Sequence, residues 1–564
     1  MPEKDLQKEI VALKSEIRRL KKNYLGLVFE DKAEDIMTQC QENIPVLKEV
    51  KARRIISDDQ NPNNLLIEGD NYHALSVLNY THKKNIDLIY IDPPYNTGAN
   101  NWKYNNDYVD KEDAYRHSKW LSLMRHRLNL AKNLLKDDGV LICAIDENEQ
   151  AHLSVLLEQI FSAHELHTIT IVHNPRGVQG TNFSYTHEYA IFVIPKNSKT
   201  IGDRVIEEED IKFRGLRDNG GESLRTDARN CFYPIIVKDG KIIGFGDVVP
   251  NDIHPKKEEK KKDGDYVYPI DNDGIERKWR YARQSVDKVK HLLEVVEGKN
   301  GKEIQIGKDF GKYRTVWIDK RFDANEYGAK LLREIVPNSG FDFPKSLYTV
   351  YDCLFAVVGD RPHASVLDFF AGSGTTGHAV LEMNKLDNGK RKFILCTNNE
   401  NNNGNGTGGI AESVCYPRIK NVIKGYKDKK DEKVGGLGGN LSYYKTDLVN
   451  IEKIHKIPDE AKIRVTYEAG EMIAVREDTL NEVEKNEWWQ IFEEKGRMTA
   501  IYFKEDKSKL AELIEKLEKK NTPVALYIFS WGKNEYKGEY SSPNIRVEDI
   551  PEPILEVYKE INRL

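Results

Sequence analysis

Asp92, Pro93, Pro94 and Tyr95 are the residues of this chain whose types and order most plainly suggest chemistry. The Asp92 carboxylate and the Pro93 carbonyl are two hydrogen-bond acceptors in succession, and Tyr95 adds a flat ring. The prolines restrict φ at their own positions and the backbone before them, so the turn is stiff. Two fixed acceptors can take both hydrogens of an exocyclic amine while its planar heterocycle stacks on the ring, as an enzyme needs for a base rotated out of a duplex. Asn96, next in line, joins Tyr95 as a candidate base contact. Taken alone, the four residues are read equally well as a rigid turn after a core strand. The run Asp87 to Ile91 supplies that strand: it is apolar and β-branched, the composition of a buried parallel strand. Asp92 would then stand at the carboxyl edge of an α/β sheet, where such sheets bind ligands.

Far downstream, Asp368-Phe369-Phe370-Ala371-Gly372-Ser373-Gly374-Thr375-Thr376-Gly377 follows another short apolar run. A phosphate-binding Walker loop needs Lys and then Ser or Thr after its last glycine, and His378 and Ala379 stand there. A dinucleotide fingerprint is a weak match when alone. S-adenosylmethionine carries no phosphate and asks only for close backbone approach. Asp368 can face its amino end, and Glu400, past the next strand at Phe393–Cys396, can take its ribose hydroxyls. That third reading explains both the acidic residue and the missing lysine.

Strand and helix patterns alternate from Asn64 (Leu65–Ile67, then a helix from about Asn71; a helix over Leu121–Leu135; a strand over Val140–Ile145), which predicts a doubly wound parallel sheet. After about Phe161 the pattern breaks into short β-like runs with many Arg and Tyr, including Arg277-Lys278-Trp279-Arg280-Tyr281-Ala282-Arg283, a mixture suited to phosphate contact and base stacking. The segments expected are 1–25, an N-terminal helix; 26–163, the first half of the core; 164–336, an inserted mixed α/β region; 337–428, the second half; and 429–564, a small C-terminal α/β domain. Leu6, Ile10, Leu13, Ile17 and Leu20 keep heptad spacing, with Glu9 and Glu16 at g and Lys14 and Lys21 at e, so a parallel coiled-coil homodimer is expected, or else one amphipathic helix packed on its own domain. The chain has 564 residues, 31% of them charged, and a net charge of −5. No apolar run reaches membrane-spanning length. The six cysteines show no Cys-x-x-Cys pair, so no metal site is expected and a reducing cytoplasm is the default.

The order of the two motifs, Asp92-Pro93-Pro94-Tyr95-Asn96 ahead of Asp368–Thr376, resembles the β-group of DNA amino-methyltransferases, in which the target-recognition region lies between catalytic and cofactor motifs. Phe341-Asp342-Phe343-Pro344-Lys345-Ser346 resembles that group's additional cofactor motif, with Ser346 where a second proline is common. Leu66-Ile-Glu-Gly-Asp70-Asn-Tyr-His-Ala-Leu75, Gly26-Leu-Val-Phe-Glu30 and Cys231-Phe-Tyr-Pro234 are similar to modification (Mod) subunits of type III restriction systems. The resemblance implies a Rossmann-like fold, S-adenosylmethionine as cofactor, Lys345 and Asp70 among its contacts, and double-stranded DNA as substrate. Asp-Pro-Pro-Tyr leans to N6 of adenine and Ser-Pro-Pro-Tyr to N4 of cytosine. It also implies a possible helicase–nuclease partner. Phe183 and Tyr185 are candidates to pack on the flipped base, or else ordinary core aromatics.

Overall fold

The computed structural model describes residues 14, 32, 34–58, 60–105, 107–206, 211–400, 409–532, 535–536, 540 and 542–562. The heptads, Lys14 apart, and the Gly26–Glu30 motif lie outside the described residues.

Ten strands form the main sheet: β1 (Asn43–Glu49), β2 (Asn63–Glu68), β3 (Ile86–Ile91), β4 (Leu135–Ile145), β5 (His164–Val172), β6 (His187–Pro195), β7 (Val316–Ile318), β8 (Ser365–Asp368), β9 (Lys392–Thr397) and β10 (Asn440–Asn450). Their order across the sheet is β1-β10-β2-β9-β8-β3-β4-β6-β5-β7. The six from β10 to β4 are mutually parallel, and β6 reverses direction against both β4 and β5. The expected parallel core is therefore present, with an antiparallel edge. Helices α1 (Asn71–Thr81), α2 (Arg116–Lys132), α3 (Gln150–Ile160), α4 (Leu347–Val358), α5 (Thr375–Asp387) and α6 (Tyr416–Lys424) belong to the same unit.

The central strand β3 explains itself. Ile86, Leu88, Ile89 and Ile91 are fully buried, each worth about 1.5–3 kcal/mol relative to exposure. Asp87 is buried among them because Lys136 Nζ reaches its oxygens at 2.9 and 2.8 Å and the Ser365 backbone N–H donates at 2.9 Å, joining β3 to the first residue of β8.

Two expected boundaries are corrected. The second compact unit is Asp203–Tyr313 rather than 164–336, because β5, β6 and β7 are strands of the main sheet. The last segment is not separate either. β10 lies between β1 and β2, and the five-stranded sheet of β11 (Glu482–Lys485), β12 (Trp489–Glu494), β13 (Arg497–Tyr502), β14 (Val524–Phe529) and β15 (Ile545–Ile550) shares the main unit's core. Ile473, Tyr527 and Tyr558 pack in one apolar cluster with Leu75 and Leu78, and Tyr558 Oη donates to the Pro45 carbonyl at 2.6 Å.

The Asp203–Tyr313 unit has its own four-stranded sheet and a core around Tyr233, Val237, Trp279 and Ile304. The basic-aromatic run 277–283 is divided in it. Trp279 is buried and donates from its indole to the Tyr233 carbonyl at 2.8 Å, while Arg277 pairs with Asp271 at 2.8 Å and Arg283 with Asp287 at 2.8 Å. Trp279 is thus core, not a stacking platform. Among the described residues no helix is long and apolar enough to cross a membrane, and all six cysteines are free.

Candidate active site

The register of β3 and β8 determines the site. Leu367 lies opposite Ile89, so Asp368 and Asp92 both end up at the carboxyl edges of adjacent parallel strands. The two motifs, distant in sequence, meet there. On the other side of β3, Ile91 pairs with Cys143 of β4, and Ile145 pairs with Tyr189 of β6, which brings Glu188 to the same edge.

The turn after β3 is held from outside. Trp120 of α2 donates its indole N–H to the Pro94 carbonyl at 2.7 Å. Among the described residues none donates to the Pro93 carbonyl, which stays available as an acceptor. The Tyr95 hydroxyl donates to Glu188 Oε2 at 3.1 Å. The Lys345 ammonium completes the group: it donates to the Tyr95 hydroxyl and to Glu188, stands 3.3 Å from Asp92 Oδ1, and lies 4.4 Å from the centre of the Tyr95 ring. One cation thus serves two carboxylates in a buried setting, where losing it would be costly. Burial pushes the Asp92 carboxyl above its ordinary range, outweighing the attraction of Lys345. Burial acts likewise on Glu188, but Lys345 there prevails and holds it below the ordinary range. Lys345 is held above the usual ammonium value despite burial, because Asp92 and Glu188 flank it. Burial and the same two carboxylates keep the Tyr95 hydroxyl protonated. Asp146, at the end of β4, is pushed up to about 6 by burial.

The glycine-rich turn is as organised. Asp368 is buried, and both its oxygens are spent on the turn itself: Oδ1 accepts from Phe370 N–H at 3.0 Å and Oδ2 from the Thr376 hydroxyl at 2.6 Å. Burial pushes it up to about 7. Gly374 has φ +82°, and a Cβ there would stand 3.0 Å from Cys415 Sγ. A Cβ on Gly377 would press within 2.8 Å of Ile419 and 3.0 Å of Leu395, so that glycine lets α5 approach α6 and the sheet. Beneath the turn the guanidinium of Arg418, from α6, is fully buried and donates to Ser373 Oγ at 2.9 Å and Thr375 Oγ1 at 2.7 Å. Burial lowers it to about 10.

The expected site residues divide as follows. Asp92, Pro93, Pro94 and Tyr95 come together, and Phe370, Ala371, Gly372, Ser373, Gly374, Thr375 and Thr376 form the turn beside them. Phe369 is wholly buried, and its carbonyl accepts from Asn71 at 3.0 Å. Lys345, expected on the cofactor, instead joins Asp92 and Tyr95. Asn96 is not a base contact: it is fully buried, its amide donating to Glu149 at 2.5 Å and its carbonyl accepting from Trp102 at 3.1 Å. Asp70 caps α1, accepting from Tyr72 N–H at 2.6 Å, and faces Arg127 at 3.4 Å. Glu400 is exposed beyond β9. Phe183 and Tyr185 are not core aromatics; they are 78% and 46% exposed on a short ribbon leading into β6 and Glu188. Glu188, Arg418 and Trp120 were not anticipated. Glu188 has one sequence signal, a lone acidic residue opening an apolar strand.

The profile of a family described as DNA methylase matches residues 86–403. The type II methyltransferase M.KpnI of Klebsiella pneumoniae is 34% identical over 349 residues, 59% of this chain and 79% of that protein. The Mod subunit of the type III restriction-modification enzyme EcoPI, from Escherichia phage P1, is 28% identical over 64% of this chain, which spans 61% of that subunit. A solved structure of the M1.HpyAVI–SAM complex aligns over 63% of this chain and 97% of its own at 13% identity and a TM-score of 0.28, too low a score to bear on function.

Proposed function

The chain belongs to the DNA methylase family that acts on exocyclic N6 or N4 amines, and from that premise we propose that it methylates N6 of an adenine flipped out of double-stranded DNA, with S-adenosylmethionine as donor. The observation that carries this reading is the pair of acceptors at the Asp92 turn, the carboxylate and the Pro93 carbonyl, set beside the glycine-rich turn at the edges of two adjacent strands.

The turn fits that donor by its chemistry. The Arg418 guanidinium is committed to the turn's own hydroxyls, so the turn suits a phosphate-free ligand. The residues that would hold it are Phe370 to Thr376, with Asp70 and Glu400 as further contacts. The sulfonium supplies an electrophilic methyl group when bound. The protein's part is positioning. The Asp92 carboxylate and the Pro93 carbonyl accept the two hydrogens of the adenine amine, which turns the nitrogen lone pair out of conjugation. Tyr95 offers its ring to the base, while Glu188 and Lys345 fix its hydroxyl. Lys345 keeps a negative charge on Asp92 affordable inside the protein. Phe183 and Tyr185, exposed beside the site, suit contact with the base or the space it leaves.

The Asp203–Tyr313 unit is read as the target-recognition module and the chain as the Mod subunit of a type III-like system, homodimeric through its N-terminal heptads. The type III Mod subunits among its relatives support the subunit assignment. To test the chemistry, purified protein, S-adenosylmethionine and unmethylated DNA are incubated and the nucleosides identified by mass spectrometry, with Asp92→Ala as control. N6-methyladenine absent in the variant is the expected result. N4-methylcytosine would move the target to the other base, and no product from the wild type would leave a recognition subunit acting through a partner.

A further inference from the structure

A second polar cluster stands behind the Asp92 turn and takes no part in the methyl-transfer reading. Glu149 occupies the position before α3, and His152 lies three residues on, the spacing that stacks side chains on one helical face. His117 comes from the first turn of α2. The Glu149 side chain is completely buried, whereas the two imidazoles are 38% and 47% exposed. Its Oε1 accepts from Asn96 at 2.5 Å and lies 2.6 Å from His117 Nδ1. Its Oε2 lies 2.9 Å from His152 Nδ1 yet has no hydrogen-bonding partner. The rings are 4.8 Å apart, centre to centre. One ligand atom from each of the three residues falls within 4.8 Å of the others.

A buried carboxylate oxygen left without a donor is unfavourable. One partly exposed imidazole stands at each oxygen of this carboxylate, His152 at Oε2 and His117 at Oε1, so a cation shared by the three offers a remedy. We propose that His117, Glu149 and His152 form a binding site for a single divalent transition-metal ion of the zinc class. Two nitrogens and one carboxylate make a three-ligand zinc set with one position left for water. Calcium and magnesium are disfavoured, since both seek oxygen ligands. Arg116 Nε donates to His117 Nε2 at 3.2 Å. It must release that nitrogen on binding, whether Nε2 becomes the ligand atom or takes the proton displaced from Nδ1. The ion would fix Glu149, and Glu149 holds Asn96, the residue after Tyr95. The site is therefore a positioning device for the catalytic turn. Ion binding is measured apart from methyl transfer, so this proposal stands or falls separately from the adenine reading.

The full chain is stripped with a chelator, dialysed, and titrated with Zn²⁺ alone by calorimetry; Co²⁺ is added in parallel to read its ligand-field absorption. One Zn²⁺ per chain is expected, bound at least tenfold more weakly by His117→Ala and by His152→Ala with unchanged circular dichroism. His167→Ala, which removes an exposed histidine paired with Glu165 on β5, is expected to bind like wild type. No saturable binding by the wild type, undiminished binding in both site variants, or an equal loss in His167→Ala would each overturn the site, the last by showing adventitious surface binding only.

Discussion

Replacing Lys345 by Met removes the one cation from between Asp92 and Glu188 while keeping most of the side-chain volume. At 3.3 Å from Asp92 Oδ1, a unit charge pair in an effective dielectric of about 20 is worth roughly 5 kcal/mol. At about 1.4 kcal/mol per pH unit, this caps the rise in the Asp92 value at roughly three to four pH units. Asp92 is partly open to solvent, and screening by water reduces the rise to about one to two. The direction follows from the state the reaction needs. Asp92 accepts two N–H groups as a carboxylate, and burial already pushes it towards the protonated form. Without Lys345 the acid limb of the rate profile moves about one to two pH units higher, so transfer at a given pH on that limb falls about 10- to 100-fold and recovers as pH rises. Stability follows the same sign: a carboxyl with a raised folded value contributes fully below its ordinary range and loses that contribution as pH rises through the folded value. Lys345→Met therefore loses most, relative to wild type, on the alkaline side. The assay is methyl incorporation into DNA from pH 5.5 to 9 alongside thermal melts. A rate lowered equally at every pH, or not lowered at all, would refute the charge-balancing role.

Three further outcomes are expected. Gly374→Ala forces a left-handed φ on a residue with a Cβ that meets Cys415, at about 1–2 kcal/mol; lower Tm and weaker S-adenosylmethionine binding by calorimetry are expected, and unchanged values of both would refute the account of the turn. Arg418→Met leaves the buried Ser373 and Thr375 hydroxyls with only each other, at 3.3 Å, a loss of roughly 1–3 kcal/mol; cofactor Kd should rise although Arg418 lies beneath the turn, and an unaltered Kd would count against its supporting role. Phe183→Ser with Tyr185→Ser should change stability by under about 0.5 kcal/mol, since both rings are exposed, while raising KM for DNA and sparing cofactor affinity; an unchanged KM would remove the ribbon from the DNA surface.

How much of this was legible beforehand varies with the distance over which each signal acts. β3 and its turn could be read directly, because a run of fully buried apolar residues ending in Asp-Pro-Pro declares both the strand and its stop. The glycine-rich turn could be read for similar reasons: the positive φ of Gly374 and the close approach at Gly377 demand glycine locally. Lys345, Glu188 and Arg418 could not be placed, since each reaches the site only through pairing or packing with a distant segment. β5 was assigned to the insertion because it is half buried and carries polar residues on alternate positions, unlike the solidly apolar central strands, and β6, although apolar from Ala190 to Ile194, went with it by its place in the chain. The run 277–283 misled for the opposite reason: alternation of basic and aromatic residues is also what a strand-like segment shows when one face is core. His117 escaped attention because cysteine spacing was the guide to metals, and its partners lie on another helix.

The place of β10 in the sheet carries a consequence for synthesis and for engineering. It pairs antiparallel with β1 from Asn43↔Asn450 and parallel with β2 from Asn63↔Asn440. β1 and β2 thus leave the ribosome some 390 positions before the strand that pairs between them. Until then β2 presents a bare edge, the kind that invites pairing with other chains. Gly435-Gly436-Leu437-Gly438-Gly439, directly ahead of β10, looks like a convenient place to cut, but a version ended there would expose that edge permanently. It should aggregate even though both motifs of the site are still present.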